Sequence, residues 1–394
     1  MPAGRSAAGT EARGRALVGL TRRPEAMVDD PAALIARVPA GELVELACYH
    51  RVPGVVYRSL VALDAGADLA ALRGAYQMAA LAHGRCLVEL QSAVQALEGL
   101  GRPWLVVKGP VLVEIGYGDP GARLYEDLDL VVDPTDLAPA IEGIEAAAGR
   151  VADLNWPLMV KFRRAEIPMY LGNGMLGDLH WDLLVTPNIR ARFTFPLAEL
   201  LERRRTVRLG VTDVDTLDAV DGLLYLCLHG SLSGGHQLVW LKDLDQMVTA
   251  EPPDWDVLVR RARRHRLDLV AAVQLERART VLGAAVPEEV VTALAGHEPW
   301  WRMWRHREAR VGMARWGGYR GTGRTFVAAT SGGSLPSVAQ LGRSLALDVV
   351  RPWVTRRRVS GDADGGEATP LYEPVGGRER RDEYLGLVSS GAWR

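Results

Sequence analysis

The sequence predicts an α/β fold (α+β in arrangement): a small mixed sheet flanked by helices, with helical N- and C-terminal regions. Three observations carry this reading. Short strand-like runs stand at Leu105–Val107, Asp127–Val132 and Leu176–Leu184. Before and after them, apolar residues recur at helical spacing. The chain has 394 residues, 48% of them apolar, enough for two or three structural units with a buried core. The expected organisation is a flexible N-terminus over 1–30, a helical region over 31–101, the sheet-bearing core over 102–216, a second helical region over 217–358 and a flexible tail over 359–394.

Taken in order, residues 1–30 are rich in Ala, Gly and Arg and are expected to be mobile. Asp30-Pro31 is a fitting helix start, with Pro in the first turn. Leu34, Val38, Leu43 and Leu46 follow at broadly helical spacing. Tyr49–Gly54 breaks the pattern and Val55–Leu63 resumes it. Residues 69–99 make one long helix or two short ones, stopped by Gly99-Leu100-Gly101. A strand then reaches the Lys108-Gly109 corner. Helix over Val111–Tyr117, turn over Gly118–Gly121 and strand from Asp127 complete the unit. Leu137–Ala148 reads as a short helix.

A strand over Ile167–Leu171 is held to an edge, or to its own start, by Pro168. Asn173-Gly174 signals a hairpin into the next strand. A charged helix over Pro196–Arg205 and a strand pair around Val207, Leu209, Val211 and Val214 come next. Helices follow over Leu217–Leu228, from Trp240 onward, and twice within 254–295.

From Trp300 the character changes. Trp300, Trp301, Trp304 and Trp316 interleave with arginines through Arg320 and Arg324. Such a run stacks bases and pairs phosphates, lies on a membrane surface, or packs Trp against Arg stems in a helical bundle. Arg351 and Arg356–Arg358 extend the basic theme, and from Ser360 the composition turns polar and tail-like.

Composition narrows the function. No apolar run is long enough to span a bilayer, and the N-terminus carries no secretory pattern. Cys48, Cys86 and Cys227 are widely spaced and form neither a disulfide framework nor a metal motif, so a reducing cytoplasm is expected. A formal charge of −1 gives no global attraction to nucleic acid.

The chemistry concentrates in Trp104–Asp133. Strand alternation puts Asp127 and Asp129 on one face, about 7 Å apart. Two ionised carboxylates at that spacing repel. A divalent cation relieves this, and Mg²⁺ typically takes one or two carboxylates plus substrate phosphates. A wet edge strand is the plain alternative. Gly109 lets backbone approach a ligand, and the helix start after it offers free N–H groups to phosphate. Lys108 is one of three lysines in an arginine-based chain. On the later strand, Asp178, His180 and Asp182 share a face.

The ordered set Lys108-Gly109, Arg123, Asp127, Asp129, Leu130 and Val132 resembles the polymerase-beta-like nucleotidyltransferase superfamily. It resembles more closely an uncharacterised nucleotidyltransferase branch, in which Lys-Gly stands where better-known relatives carry Gly-Ser. The resemblance runs over roughly residues 30 to 290. It implies that Asp127, Asp129 and Asp178 hold the metal and perform catalysis, Asp178 matching an acidic residue followed by Leu-His-Trp. Asp182 competes for that third place. Lys108, Gly109, Arg123, His180, His229 and Asp243 are implied to contact substrate. Packing at a helix end explains His229 equally, and pairing to an Arg explains Asp243.

The implied cofactor is Mg²⁺, two ions, with Mn²⁺ as an alternative. The implied reaction moves an NMP group from a nucleoside triphosphate to an acceptor hydroxyl and releases pyrophosphate. The acceptor is a small molecule, a peptide or protein hydroxyl, or an RNA end. Two other readings stand beside it: a non-catalytic nucleotide-binding or regulatory partner protein, and a toxin-like transferase acting on tRNA ends. The near-neutral charge weighs against long nucleic acid; the Trp/Arg run weighs for it.

Overall fold

The computed structural model describes residues 7–26, 30, 33, 35–36, 38–64, 69–319, 324–346 and 377–393. Pro31, Leu34, Arg320, Arg351, Arg356–Arg358 and the stretch 360–376, all used in the sequence reading, lie outside the described residues.

Five strands form one mixed sheet in the order β1-β2-β5-β4-β3: β1 Leu105–Val107, β2 Asp127–Val131, β3 Arg150–Val151, β4 Glu166–Tyr170 and β5 Leu176–His180. Only the β2–β5 pair is parallel; the others are antiparallel. Alternation sends Val106, Leu128, Leu130, Ile167, Met169 and Leu179 to one face, each at most 1% exposed. They pack against Cys86, Leu90 and Ala93 of the helix Ala70–Leu97 and against Ile141 and Ile144 of the helix Leu137–Ala146. Each such side chain contributes about 1.5–3 kcal/mol. A one-residue slip of any strand would turn its apolar set the wrong way. That apolar face therefore dictates where the acidic residues go, which is the opposite face.

Pro168 sits inside β4, with β5 on one side. On the other side its carbonyl accepts from Ala152 N at 2.8 Å, but its ring nitrogen returns no bond, and the β3–β4 ladder stops there. The proline thus makes a local edge rather than an edge strand. β5 ends at His180, earlier than the Leu176–Leu184 expectation, because Asp182 Oδ1 accepts from Leu184 N at 2.8 Å and turns the chain. A hairpin, β6 Arg205–Leu209 and β7 Thr212–Thr216, docks on β1 through Thr216 Oγ1, which donates to Val106 O at 2.7 Å.

The remaining core is helical. The helices Ala219–Leu232 and Leu238–Ala250 cover the β1–β2 end of the acidic face. Asp218 caps the first by accepting from Asp221 N at 2.7 Å. No described helix is long and apolar enough to cross a membrane.

Two expectations are corrected. The N-terminal segment expected to be mobile contains a helix, Ala7–Thr21, with Ala16, Leu17, Val18 and Leu20 buried. It lies so close to the turn at 312–317 that a Cβ on Gly317 would stand 1.8 Å from Thr10 O. The tail expected to be flexible contains the helix Gly377–Ser389. Its Tyr384 is fully buried, donating to Arg164 O at 2.6 Å and accepting from Trp181 Nε1 at 2.8 Å. Of the three readings of the Trp/Arg run, packing in a helical bundle is the one observed: Trp300, Trp304 and Trp316 are at most 2% exposed, and Trp300 stacks on Phe326 at 4.2 Å.

Candidate active site

Register builds the site. In the parallel β2–β5 pair Asp129 stands beside Asp178, and Val131 beside His180. Partners in register point to the same face. Asp127, Asp129, Asp178 and His180 therefore share the polar face, and β4 adds Glu166, the partner of His180. One oxygen or nitrogen from each of Asp129, Asp178 and His180 lies within 4.8 Å of the others. Asp127, expected among the metal ligands, is not in that set; His180 takes the place beside the two aspartates.

Asp129 is the hub. It is 2% exposed, and its Oδ1 takes Lys108 Nζ at 2.8 Å and His180 Nε2 at 3.1 Å. Burial alone would raise its pKa, but the lysine charge and the imidazole outweigh it and hold the carboxyl well below the usual range. Lys108 reaches in from the end of β1. Its backbone has φ 55° and ψ −132°, a region that costs a non-glycine residue about 1–3 kcal/mol. Gly109 follows with its missing Cβ position 3.1 Å from the Tyr125 ring, so a side chain there would press the ring back. Tyr225 lies 5.8 Å from Lys108 Nζ through its ring, closing the site from the helix Ala219–Leu232.

Asp178 behaves oppositely to Asp129. Burial and the neighbouring Glu166, Asp129 and Asp127 push its carboxyl up to about 7, against a downward pull from His180. Burial and Asp129 also raise Asp127, with Lys108 and Arg123 opposing. One carboxylate firmly ionised beside one poised near neutrality is the division of labour that separates a ligand from a proton acceptor. The donor chemistry suits a divalent cation, and the Lys108 ammonium already occupies a cation's place on Asp129. An imidazole in the set widens the choice beyond Mg²⁺, which prefers oxygen, towards ions that accept nitrogen.

The other expected residues fall into place differently. Arg123 is gripped by Asp243 through two bonds, Nε to Oδ1 at 2.7 Å and Nη2 to Oδ2 at 2.9 Å. Tyr117 donates to the same Asp243 Oδ1 at 2.8 Å. Asp243 thus meets Arg123, not open space. Arg123 keeps a buried Nη1 without a partner among the described residues. His229 lies near the Tyr225 ring on the helix Ala219–Leu232, where burial and the Lys108 charge push its pKa down to about 3. It is neutral at any ordinary pH. Asp182 belongs to the turn after β5 and is outside the ligand cluster.

Sequence reading missed Glu166 and Tyr225; it offered Asp243 paired to an Arg, but neither Arg123 as that arginine nor Tyr117 as the third member of the clamp. The alternation in Glu166-Ile167-Pro168-Met169-Tyr170 carried the signal for Glu166, since Ile167 and Met169 must face the core. The clamp joins residues 120 and more apart and has no local signal.

A family model described as "uncharacterised nucleotidyltransferase" matches residues 37–283, more than half the chain. No curated protein gives a significant match.

Proposed function

Because the chain belongs to the uncharacterised nucleotidyltransferase family, we propose that it moves an NMP group from a nucleoside triphosphate to an acceptor hydroxyl in a metal-dependent reaction. One observation carries this beyond the family: Asp129, Asp178 and His180 converge across the parallel β2–β5 pair, with Lys108 on Asp129. Mg²⁺, or Mn²⁺ with its greater tolerance for imidazole, bound by those three residues would neutralise triphosphate charge and acidify the acceptor hydroxyl.

The chain's own groups supply the rest. Lys108 and the unpartnered Nη1 of Arg123 provide positive charge for the triphosphate on the β1–β2 side. Asp243 and Tyr117 fix the Arg123 guanidinium so that little order is lost when phosphate arrives. Asp178, ionised once its proton is displaced and facing the open end of the polar face, takes the proton of the acceptor hydroxyl. The acceptor oxygen bonds to the α-phosphorus, the bond from that phosphorus to the bridging oxygen breaks, and pyrophosphate leaves. Neutral His229 keeps a further positive charge out of the site.

The test uses purified protein, Mg²⁺ or Mn²⁺, and each α-³²P-labelled nucleoside triphosphate, with and without cell extract and small RNA. Label should move to an acceptor with the wild type and not with Asp129→Asn. Triphosphate binding that needs no metal, with no transfer under any condition, would overturn the reading.

A further inference from the structure

The polar face of the sheet has two ends, and they differ. At the β1–β2 end it is covered by the helix Ala219–Leu232 and carries the cations Lys108 and Arg123. At the β4–β3 end it is open. There a cleft of about 900 Å³ begins at Asp127 and Asp178 and runs over β4. Its floor includes Pro168, Tyr170 and Leu176, and the helix Trp156–Phe162 forms a wall with Leu158 and Phe162. Phe162 is 56% exposed and Leu176 43%, large apolar side chains left uncovered by the described residues.

The charges of this cleft are mixed but lean acidic. Four carboxylates line it, Glu126, Asp127, Asp153 and Asp178, against two guanidinium groups, Arg150 and Arg164. Arg164 is already paired with Glu166 and lies 3.7 Å from Asp153. Arg150 lies over the Tyr170 ring at 4.0 Å, presenting a flat surface. A polyanion laid along this floor would meet Glu126 and Asp127, with which neither Arg150 nor Arg164 is paired. The tryptophans that might have held RNA elsewhere are packed in the core.

Resting on the nucleotidyl-transfer reading, we infer that this cleft is the acceptor site, and that the acceptor is a neutral or cationic hydroxyl compound with an apolar or ring-shaped body, not a nucleic acid. Its body lies on Tyr170, Leu176 and Phe162, and its hydroxyl reaches Asp178. The triphosphate enters from the opposite, cationic end. The volume is at the upper end of the range for small-molecule pockets, about 300–1,000 Å³, and calls for no polymer.

Two phenols of like shape and opposite charge probe the class: tyramine, cationic, and 4-hydroxyphenylacetate, anionic. Their binding is followed by saturation-transfer NMR on full-length protein loaded with Mg²⁺ and an α,β-methylene nucleoside triphosphate, each of the four bases in turn, beside a ten-nucleotide RNA competitor. Tyramine should bind about tenfold more tightly than 4-hydroxyphenylacetate, and the RNA should not displace it. Phe162→Ser and Tyr170→Ser should each weaken tyramine and leave affinity for the methylene analogue unchanged. Equal binding of the two phenols, or displacement by RNA, overturns the assigned chemical class. Tyramine binding untouched by both variants overturns the assigned place. Wild-type protein that binds no analogue in the presence of metal overturns the transfer reading itself, and the acceptor site with it.

Discussion

Asp243→Asn separates a clamp from a ligand contact. Both carboxylate oxygens of Asp243 are spent on Arg123 and Tyr117, at 2.7, 2.9 and 2.8 Å, and the residue is 2% exposed. The Arg123 side chain is 11% exposed, so solvent can rescue it only in part. Removing one partner of a buried ion pair strands the other charge and costs about 3–5 kcal/mol. Against a total stability of about 5–15 kcal/mol, that is a large fraction. Asparagine retains an acceptor oxygen, so Asp243→Asn should fall near the lower figure and Asp243→Ala near the upper. Urea unfolding measures both. The double variant Arg123→Met/Asp243→Leu replaces the pair with apolar side chains of similar size and should recover most of the loss, because the desolvation cost vanishes with the charges. Its affinity for triphosphate should stay low, since the Arg123 guanidinium is gone. A loss below about 1 kcal/mol in Asp243→Asn, or single-variant costs that simply add in the double, would refute the clamp. Wild-type triphosphate affinity in a stable double variant would refute the phosphate role of Arg123 alone.

Further outcomes follow from the same geometry. Asp178 holds a proton up to about pH 7 in the metal-free protein, so a bound cation must displace it at lower pH. Mn²⁺ affinity should therefore fall by about tenfold per pH unit below that point and level off above it, and Asp178→Asn should remove the dependence. Lys108→Met takes away the ammonium that competes for Asp129 Oδ1, so Mn²⁺ should bind more tightly while triphosphate binds more weakly; titration calorimetry reads both. Tyr384→Phe leaves Trp181 Nε1 and Arg164 O without their partner and should cost about 1–3 kcal/mol in urea unfolding.

Much of the fold was legible because strands obey a short period. Leu105–Val107 was read with its observed bounds, and the Asp127 strand came within one residue of its end. Alternation placed Asp127 and Asp129 on one face and Asp178 and His180 on another strand's face. What it could not supply was that these strands are parallel neighbours with Asp129 beside Asp178, because pairing is a property of the whole sheet. The Trp/Arg run was open to base stacking, a membrane surface or bundle packing, and bundle packing is what the fold shows. Aromatic residues among arginines look alike in a nucleic-acid groove and in a bundle, and only packing tells them apart; Arg315 is buried against Glu308 at 2.8 Å, and Trp316 lies against the N-terminal helices. The Ala7–Thr21 helix was invisible for a related reason. Its Gly14 lowers helix propensity, yet it admits Met313 O, to which a Cβ would come within 1.9 Å. A residue that reads locally as flexible is there to allow close contact.

We propose that Asp129, Asp178 and His180, which lie close enough to share one ion, form a divalent metal centre serving a nucleoside triphosphate. The most direct measurement is electron paramagnetic resonance of Mn²⁺ titrated into the protein at pH 8, with and without triphosphate, for wild type, Asp129→Asn and His180→Gln. A bound-ion signal with nitrogen coupling is expected in the wild type, strengthened by triphosphate, lost in Asp129→Asn and stripped of nitrogen coupling in His180→Gln. Equal Mn²⁺ binding by all three proteins, with triphosphate making no difference, would contradict the proposed centre.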